Sequence, residues 1–174
     1  INEESFQKLY QNWVGDTDLT YCNPKPNFHT HIQSLLKKYP IKDKADVGLK
    51  LEPYQLPGLN GDTFVNLIAQ NGAVLAMETV DFTSSLTTIG STLNSFEILV
   101  SALKSYSDEK GLNSGKYKLM FKKPKAGSEQ ENLLNLFFTQ KKGLYTLLEE
   151  KEIENVIEEL NKEEYQKFSI ALNQ

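Results

Sequence analysis

Arginine is absent from the 174 residues, so all nineteen basic side chains are lysine. Arginine is the side chain that forks onto phosphate and guanine and stacks on bases. Its absence counts against sequence-specific nucleic-acid reading, although lysine still neutralises phosphate as a point charge. A genome rich in A and T, which drains arginine codons, explains the bias without a functional cause. Cysteine is nearly absent too: Cys22 stands alone. That excludes an internal disulfide framework and a cysteine-based zinc cluster, and it suits a reducing compartment such as cytoplasm, nucleus or an organelle. No apolar run approaches the roughly 18–20 residues of a spanning helix, so no membrane is expected. No signal or transit peptide is visible. The chain begins at Ile1 rather than methionine, as expected if an upstream segment has been removed.

Against these absences stands an ordinary globular composition, 39% hydrophobic and 24% charged, which excludes full-length disorder. The length suits one domain, residues 1–174. The net charge of −4 is unevenly placed. Leu147–Gln174 holds eight Glu against three Lys, whereas Lys116–Lys142 holds seven Lys against two Glu. An acidic terminal segment beside a basic stretch points to a charged partner.

Periodicity divides the chain in three. Residues 1–46 are a helical N-terminal segment. Phe6, Leu9, Tyr10, Trp13 and Val14 form one apolar stripe, Asn23-Pro24-Lys25-Pro26-Asn27 forces a turn, and Ile32, Leu35, Leu36 and Tyr39 form a second stripe ended by Pro40. Residues 47–111 read as a strand at Gly48–Tyr54, a hairpin of Phe64–Ala69 with Ala73–Val80 around Gln70-Asn71-Gly72, and a polar loop Thr83–Thr92. A helix follows, capped by Asn94 with Glu97. Residues 112–174 repeat that order: a strand at Lys116–Lys122, a hairpin of Leu133–Thr139 with Leu144–Leu148, and a helix carrying Ile153, Val156, Ile157 and Leu160. The expected fold class is therefore α+β, two pseudo-repeated units of antiparallel strands followed by a helix. Helices cover one sheet face and leave the other free.

Little in this pattern carries catalytic chemistry. Cys22 has no patterned base, the Ser/Thr stretch matches no nucleophile elbow, and Gly58–Gly61 lacks the Gly-Lys-Ser/Thr of a phosphate loop. His29 and His31 form a metal half-site that would need Asp16 or Asp18, but a polar turn before a helix explains the pair better. The reading is of a non-enzyme with no metal and no cofactor. The free sheet face is the remaining candidate. Lys50, Lys116, Lys118, Lys122, Lys123, Lys125, Lys141 and Lys142 would follow a phosphate backbone, and Tyr54 would stack on bases. Strand alternation turns Tyr117 and Phe121 towards the core, so aromatics at the sheet edge must supply the stacking.

Three pieces of residues 48–106 carry a resemblance: Leu49-Lys50-Leu51-Glu52-Pro53, then Phe64-x-Asn66-Leu67-x-x-Gln70-Asn71, then Phe96-Glu97-Ile98-Leu99-Val100-Ser101-Ala102. They resemble the Whirly/PUR type of single-stranded nucleic-acid-binding fold, which shares two sheet-plus-helix units with the kinetoplastid mitochondrial RNA-binding proteins. The resemblance implies single strands lying across the sheets between subunits of a homo-oligomer. The expected function is thus a non-enzymatic module that binds single-stranded nucleic acid with little sequence preference. The alternative is a protein-interaction module, such as a secretion chaperone, an immunity protein or an assembly subunit, binding a basic partner. The element order is also similar to that of type III secretion chaperones, and the low pI and missing arginine favour that alternative.

Overall fold

The computed structural model describes residues 27–173. The stripe at Phe6–Val14, the Asn23–Pro26 turn, Asp16, Asp18 and Cys22 lie outside the described residues. Asn27 starts the first helix by accepting the Thr30 amide on Oδ1 at 2.8 Å. That satisfies one of the donors every helix N-terminus leaves unpaired. Helix α1 (Phe28–Leu36) buries Phe28, Ile32 and Leu36, which share a face at spacings of four. It begins early enough to contain both His29 and His31, rather than following them.

Strands β1 (Asp46–Leu51), β2 (Thr63–Gln70) and β3 (Ala73–Asp81) form an antiparallel meander. Gly72, at φ +58°, closes the β2–β3 turn at the expected Gln70-Asn71-Gly72. Helix α2 (Leu86–Lys110) then starts well before the expected Asn94. Its cap is Ser85, whose Oγ accepts the Thr88 amide at 3.2 Å, so most of the stretch read as a Ser/Thr loop is helical. Serine and threonine are indifferent helix formers on their own. Here Ile89, Leu93, Phe96, Val100 and Leu103 recur at alternating spacings of four and three and are buried against the sheet, and that packing outweighs propensity.

The second half departs from the first. Strand β4 (Asn113–Lys122) runs parallel to β3, and β5 (Thr146–Glu149) runs parallel to β4. Between them lies α3 (Glu129–Gln140), so Leu133–Thr139 is helix and forms no hairpin with Leu144–Leu148. The run Leu133-Leu134-Asn135-Leu136-Phe137-Phe138 fits both periods. Ser128 decides it by accepting the Glu131 amide at 3.2 Å, and Leu134 and Phe137, one turn apart, reach the core. Helix α4 (Ile153–Lys162), strand β6 (Gln166–Lys167) and the short α5 (Phe168–Ala171) complete the chain. The class is α+β, but β4–α3–β5–α4 does not repeat β1–β2–β3–α2.

The six strands among the described residues belong to one sheet, ordered β1-β2-β3-β4-β5, with β6 added to β2. Neither face of that sheet is free. On one face Val74, Ala76, Val80, Leu119 and Phe121 pack with α2 and α3. On the other, Leu67, Leu75, Met77 and Met120 pack with α1 and α4. The expected open platform is thus covered by the N-terminal helix and the acidic C-terminal one. The cause is legible in β3, where seven consecutive residues from Val74 to Val80 are buried. A strand apolar at nearly every position needs cover on both sides.

One core contact is tight. The Tyr117 hydroxyl is buried without a hydrogen-bond partner, and a Cβ at Gly115 would collide with that phenol. An unpaired buried hydroxyl costs stability. Tyr117→Phe is therefore expected to raise the unfolding free energy by about 1 kcal/mol, and Gly115→Ala to lower it by about 1–3 kcal/mol through overpacking. Urea unfolding measures both. A less stable Tyr117→Phe chain would mean that the hydroxyl is satisfied in solution.

Candidate functional site

Most of the lysines proposed to grip phosphate are already held by carboxylates. Lys116 Nζ lies 2.8 Å from Glu159 and 3.0 Å from Glu163, Lys118 2.8 Å from Glu159, and Lys123 2.8 Å from Glu149. The basic stretch and the acidic segment thus neutralise each other across the sheet. Lys50 pairs with Glu52 and Asp62 at 2.8 and 2.7 Å, Lys122 with Asp81 at 3.5 Å, and Lys141 with Glu97 at 2.5 Å. Lys125 and Lys142 are exposed, with no carboxylate in reach among the described residues. Tyr54 is 79% exposed, whereas Tyr117 and Phe121 are buried, as alternation required. These residues are dispersed from the edge strand β1 to the inner strand β4 and the segments flanking α3, and do not form one surface. Nor do His29 and His31 converge. Two residues apart on a helix they point to different sides, His29 inward and His31 to Glu150 at 2.7 Å.

What the fold does bring together lies where β2 and β3 part. Their pairing runs from Gln70↔Val74 to Leu67↔Met77 and stops. Beyond it, Thr63–Val65 pair with β1 and Glu78–Asp81 with β4. Gly48, at φ +70°, interrupts β1 opposite Asn66. A Cβ there would stand 3.0 Å from the Gln33 amide, so this glycine gives α1 room to lay its polar side on the strands. Asn66, Glu78 and Thr79 are all buried at this point.

They form one hydrogen-bonded cluster with α1. The Thr79 amide donates to Glu78 Oε1 at 3.0 Å, and the Thr79 hydroxyl donates to Asn66 Oδ1 at 3.1 Å. His29 Nδ1 lies 3.3 Å from Thr79 Oγ1 and 3.4 Å from Glu78 Oε1. Gln33 Nε2, a donor, stands 3.0 Å from His29 Nε2. That contact assigns the proton of the neutral ring to Nδ1, facing Glu78. Glu78 beside it raises the His29 pKa above its ordinary 6.5, against burial, which lowers it. Glu78 Oε2 meets no donor among the described residues.

A crevice opens on both sides of Glu78. One lobe, of about 260 Å³, runs between Asp62, Thr63 and Phe64 of the β2 end and Ser91, Thr92 and Ser95 of α2. The other, of about 390 Å³, is bounded by His29, Thr79, Asp81, Ser84 and Thr88. Thr92 and Glu78 line both lobes. Asp62 and Asp81 have lysine partners at the rim. Among the described residues the one basic side chain beside Glu78 is His29. The arrangement is a buried carboxylate walled by hydroxyls, suited to hydrogen-bonding and charge-pairing with a cationic group. Glu78, Asn66 and Thr79 escaped the sequence reading, although a glutamate inside Val74-Leu75-Ala76-Met77-Glu78-Thr79-Val80 is itself a signal of a buried polar group.

Comparison with known proteins found no matching family model, no similar curated protein and no similar solved structure.

The His29–Glu78 pair has a definite pH signature. A folded-state pKa above 6.5 makes the contribution of His29 to stability full below about pH 6.5 and lost as pH rises through the raised value. The NMR titration midpoint of His29 is expected above 6.5 and should fall in Glu78→Gln. An unmoved midpoint would exclude Glu78 as the cause. The ion pairs offer a second check. Glu159 is mostly buried, which alone would raise its pKa, yet Lys116 and Lys118 outweigh burial and hold it low. Glu159→Gln strands the largely buried Lys118 and should cost about 2 kcal/mol in urea unfolding, below the cost of breaking a fully buried pair. Removing the more exposed Lys123 pair with Glu149→Gln should cost less.

Proposed function

We propose that the protein is a non-enzymatic binding module for a basic partner protein, which inserts a lysine or arginine side chain into the crevice against Glu78. The observation that carries this reading is the state of Glu78: 8% exposed, at the parting of β2 and β3, with Oε2 unmatched by any donor among the described residues. A carboxylate so placed pairs more strongly with a cation than one in open water. The hydroxyls of Thr63, Ser91, Thr92 and Ser95 supply acceptors for the remaining ammonium or guanidinium protons. Phe64, 56% exposed at the mouth, offers a ring face to the same cation. The Thr79 hydroxyl bonded to His29 is 4% exposed and gives its proton to Asn66, which supports binding over nucleophilic catalysis. A net charge of −4 favours encounter with basic surfaces.

Single-stranded nucleic acid is the second reading. What favours it is the exposure of Tyr54 and Phe64 on the β1–β2 side, where bases would find stacking surfaces. Phosphate there would have to compete with Glu52 and Asp62 for Lys50.

Titration with decalysine and deca-arginine peptides, and separately with a mixed-sequence 20-nucleotide single strand at low salt, separates the two. The expected result is saturable peptide binding that weakens about tenfold or more in Glu78→Gln, roughly 1.4 kcal/mol, with no oligonucleotide binding. Peptide binding indifferent to Glu78→Gln overturns the crevice. Tight, salt-dependent oligonucleotide binding replaces it with the second reading.

A further inference from the structure

Of the several described lysines that no carboxylate neutralises, three meet in one place. Among the described residues, Lys37, Lys42 and Lys167 have no carboxylate oxygen within 4.0 Å, and all three line one cavity of about 490 Å³. Its apolar walls are Leu36, Tyr39, Ile41, Ala45 and Val47. It sits at the C-terminal end of α1, roughly 12 Å along the helix from His29 at 1.5 Å per residue, and shares no residue with the crevice.

The structural uses of this charge are only partly accounted for. Lys37 follows the last turn of α1, where a cation offsets the negative end of the helix dipole. Lys44 points away to the terminal carbonyls of α4, donating to Leu160 O at 3.1 Å and Asn161 O at 3.3 Å. The ammonium groups of Lys42 and Lys167 have no hydrogen bond to any described side chain or carbonyl. The one carboxylate lining the cavity, Asp46, is committed to α5: its two oxygens accept the Ser169 amide and hydroxyl, both at 2.8 Å. The cavity therefore presents an apolar interior under a basic rim.

We infer that this cavity binds the hydrocarbon tail and carboxylate head of a single-chain anionic amphiphile, a free fatty acid. The tail would lie along Tyr39, Ile41 and Val47, and the carboxylate would meet Lys42 and Lys167. The volume falls within the 300–1,000 Å³ typical of small-ligand sites. Charge complementarity selects the head group. A cationic head would meet three uncompensated lysines, and a neutral one would leave the rim unused.

The test is calorimetric titration of the full chain with dodecanoate, dodecyl maltoside and dodecyltrimethylammonium, each below its micellar threshold. Dodecanoate is expected to bind one to one and to outbind the other two. The double variant Lys42→Glu/Lys167→Glu should weaken it by about tenfold, as two reversed rim charges imply, while circular dichroism and binding at Glu78 stay unchanged. Equal binding of all three head groups, no saturable dodecanoate binding, or indifference to the double variant overturns the inference. So does binding only to phosphatidylglycerol vesicles, which would mark a membrane-facing patch instead.

Discussion

Two-sided burial of β2 and β3 is the constraint on which the rest of this structure depends. Val74 to Val80 form an unbroken buried run, and helices must close over both faces to keep it from water. A strand in that position has no solvent side to which a polar residue can turn. Asn66, Glu78 and Thr79 are admitted only where β2 and β3 stop pairing, and there each finds hydrogen-bond partners. A buried polar cluster of this kind is costly if incomplete, so Gly48, Gln33 and His29 are as much part of it as the strands. The crevice is the consequence: the sheet cannot stay closed and also hold these side chains.

Charge follows the same geometry. In sequence, the basic stretch 116–142 and the acidic stretch 147–174 stand as separate blocks, which suggests an external partner for each. In space, α4 lies over β4, and Glu159 takes Lys116 and Lys118 together. The mutual attraction of two blocks so placed favours the docking of α4 onto the sheet, and it withdraws these lysines from any phosphate backbone. The surface charge that remains is then informative, because it is what folding did not use.

Much of the fold was legible. The β2–β3 hairpin, its Gln70-Asn71-Gly72 turn, the amphipathic stripe of α4 and the inward direction of Tyr117 all follow from periodicity and turn chemistry. Two elements misread for identifiable reasons. Thr83–Thr92 is rich in residues that suit loops, yet Ile89 and Leu93 belong to the stripe of α2, and burial against the sheet overrode local preference. Leu133–Phe138 satisfies strand and helix patterns alike, and the arbiter was the cap formed by Ser128 with Glu131, a signal present in the sequence beside it.

By itself the sequence determined that the chain mixes helix and strand, that no disulfide links two of these 174 residues, and that no apolar run is long enough for a spanning helix. These are properties of composition and local spacing, and they need no knowledge of what lies across the molecule. Tertiary structure alone decided that both sheet faces are covered, that β4 and β5 run parallel, and that His29, Asn66 and Glu78 meet. Such contacts join residues tens of positions apart, and local periodicity carries no information about which distant segment an apolar face will find.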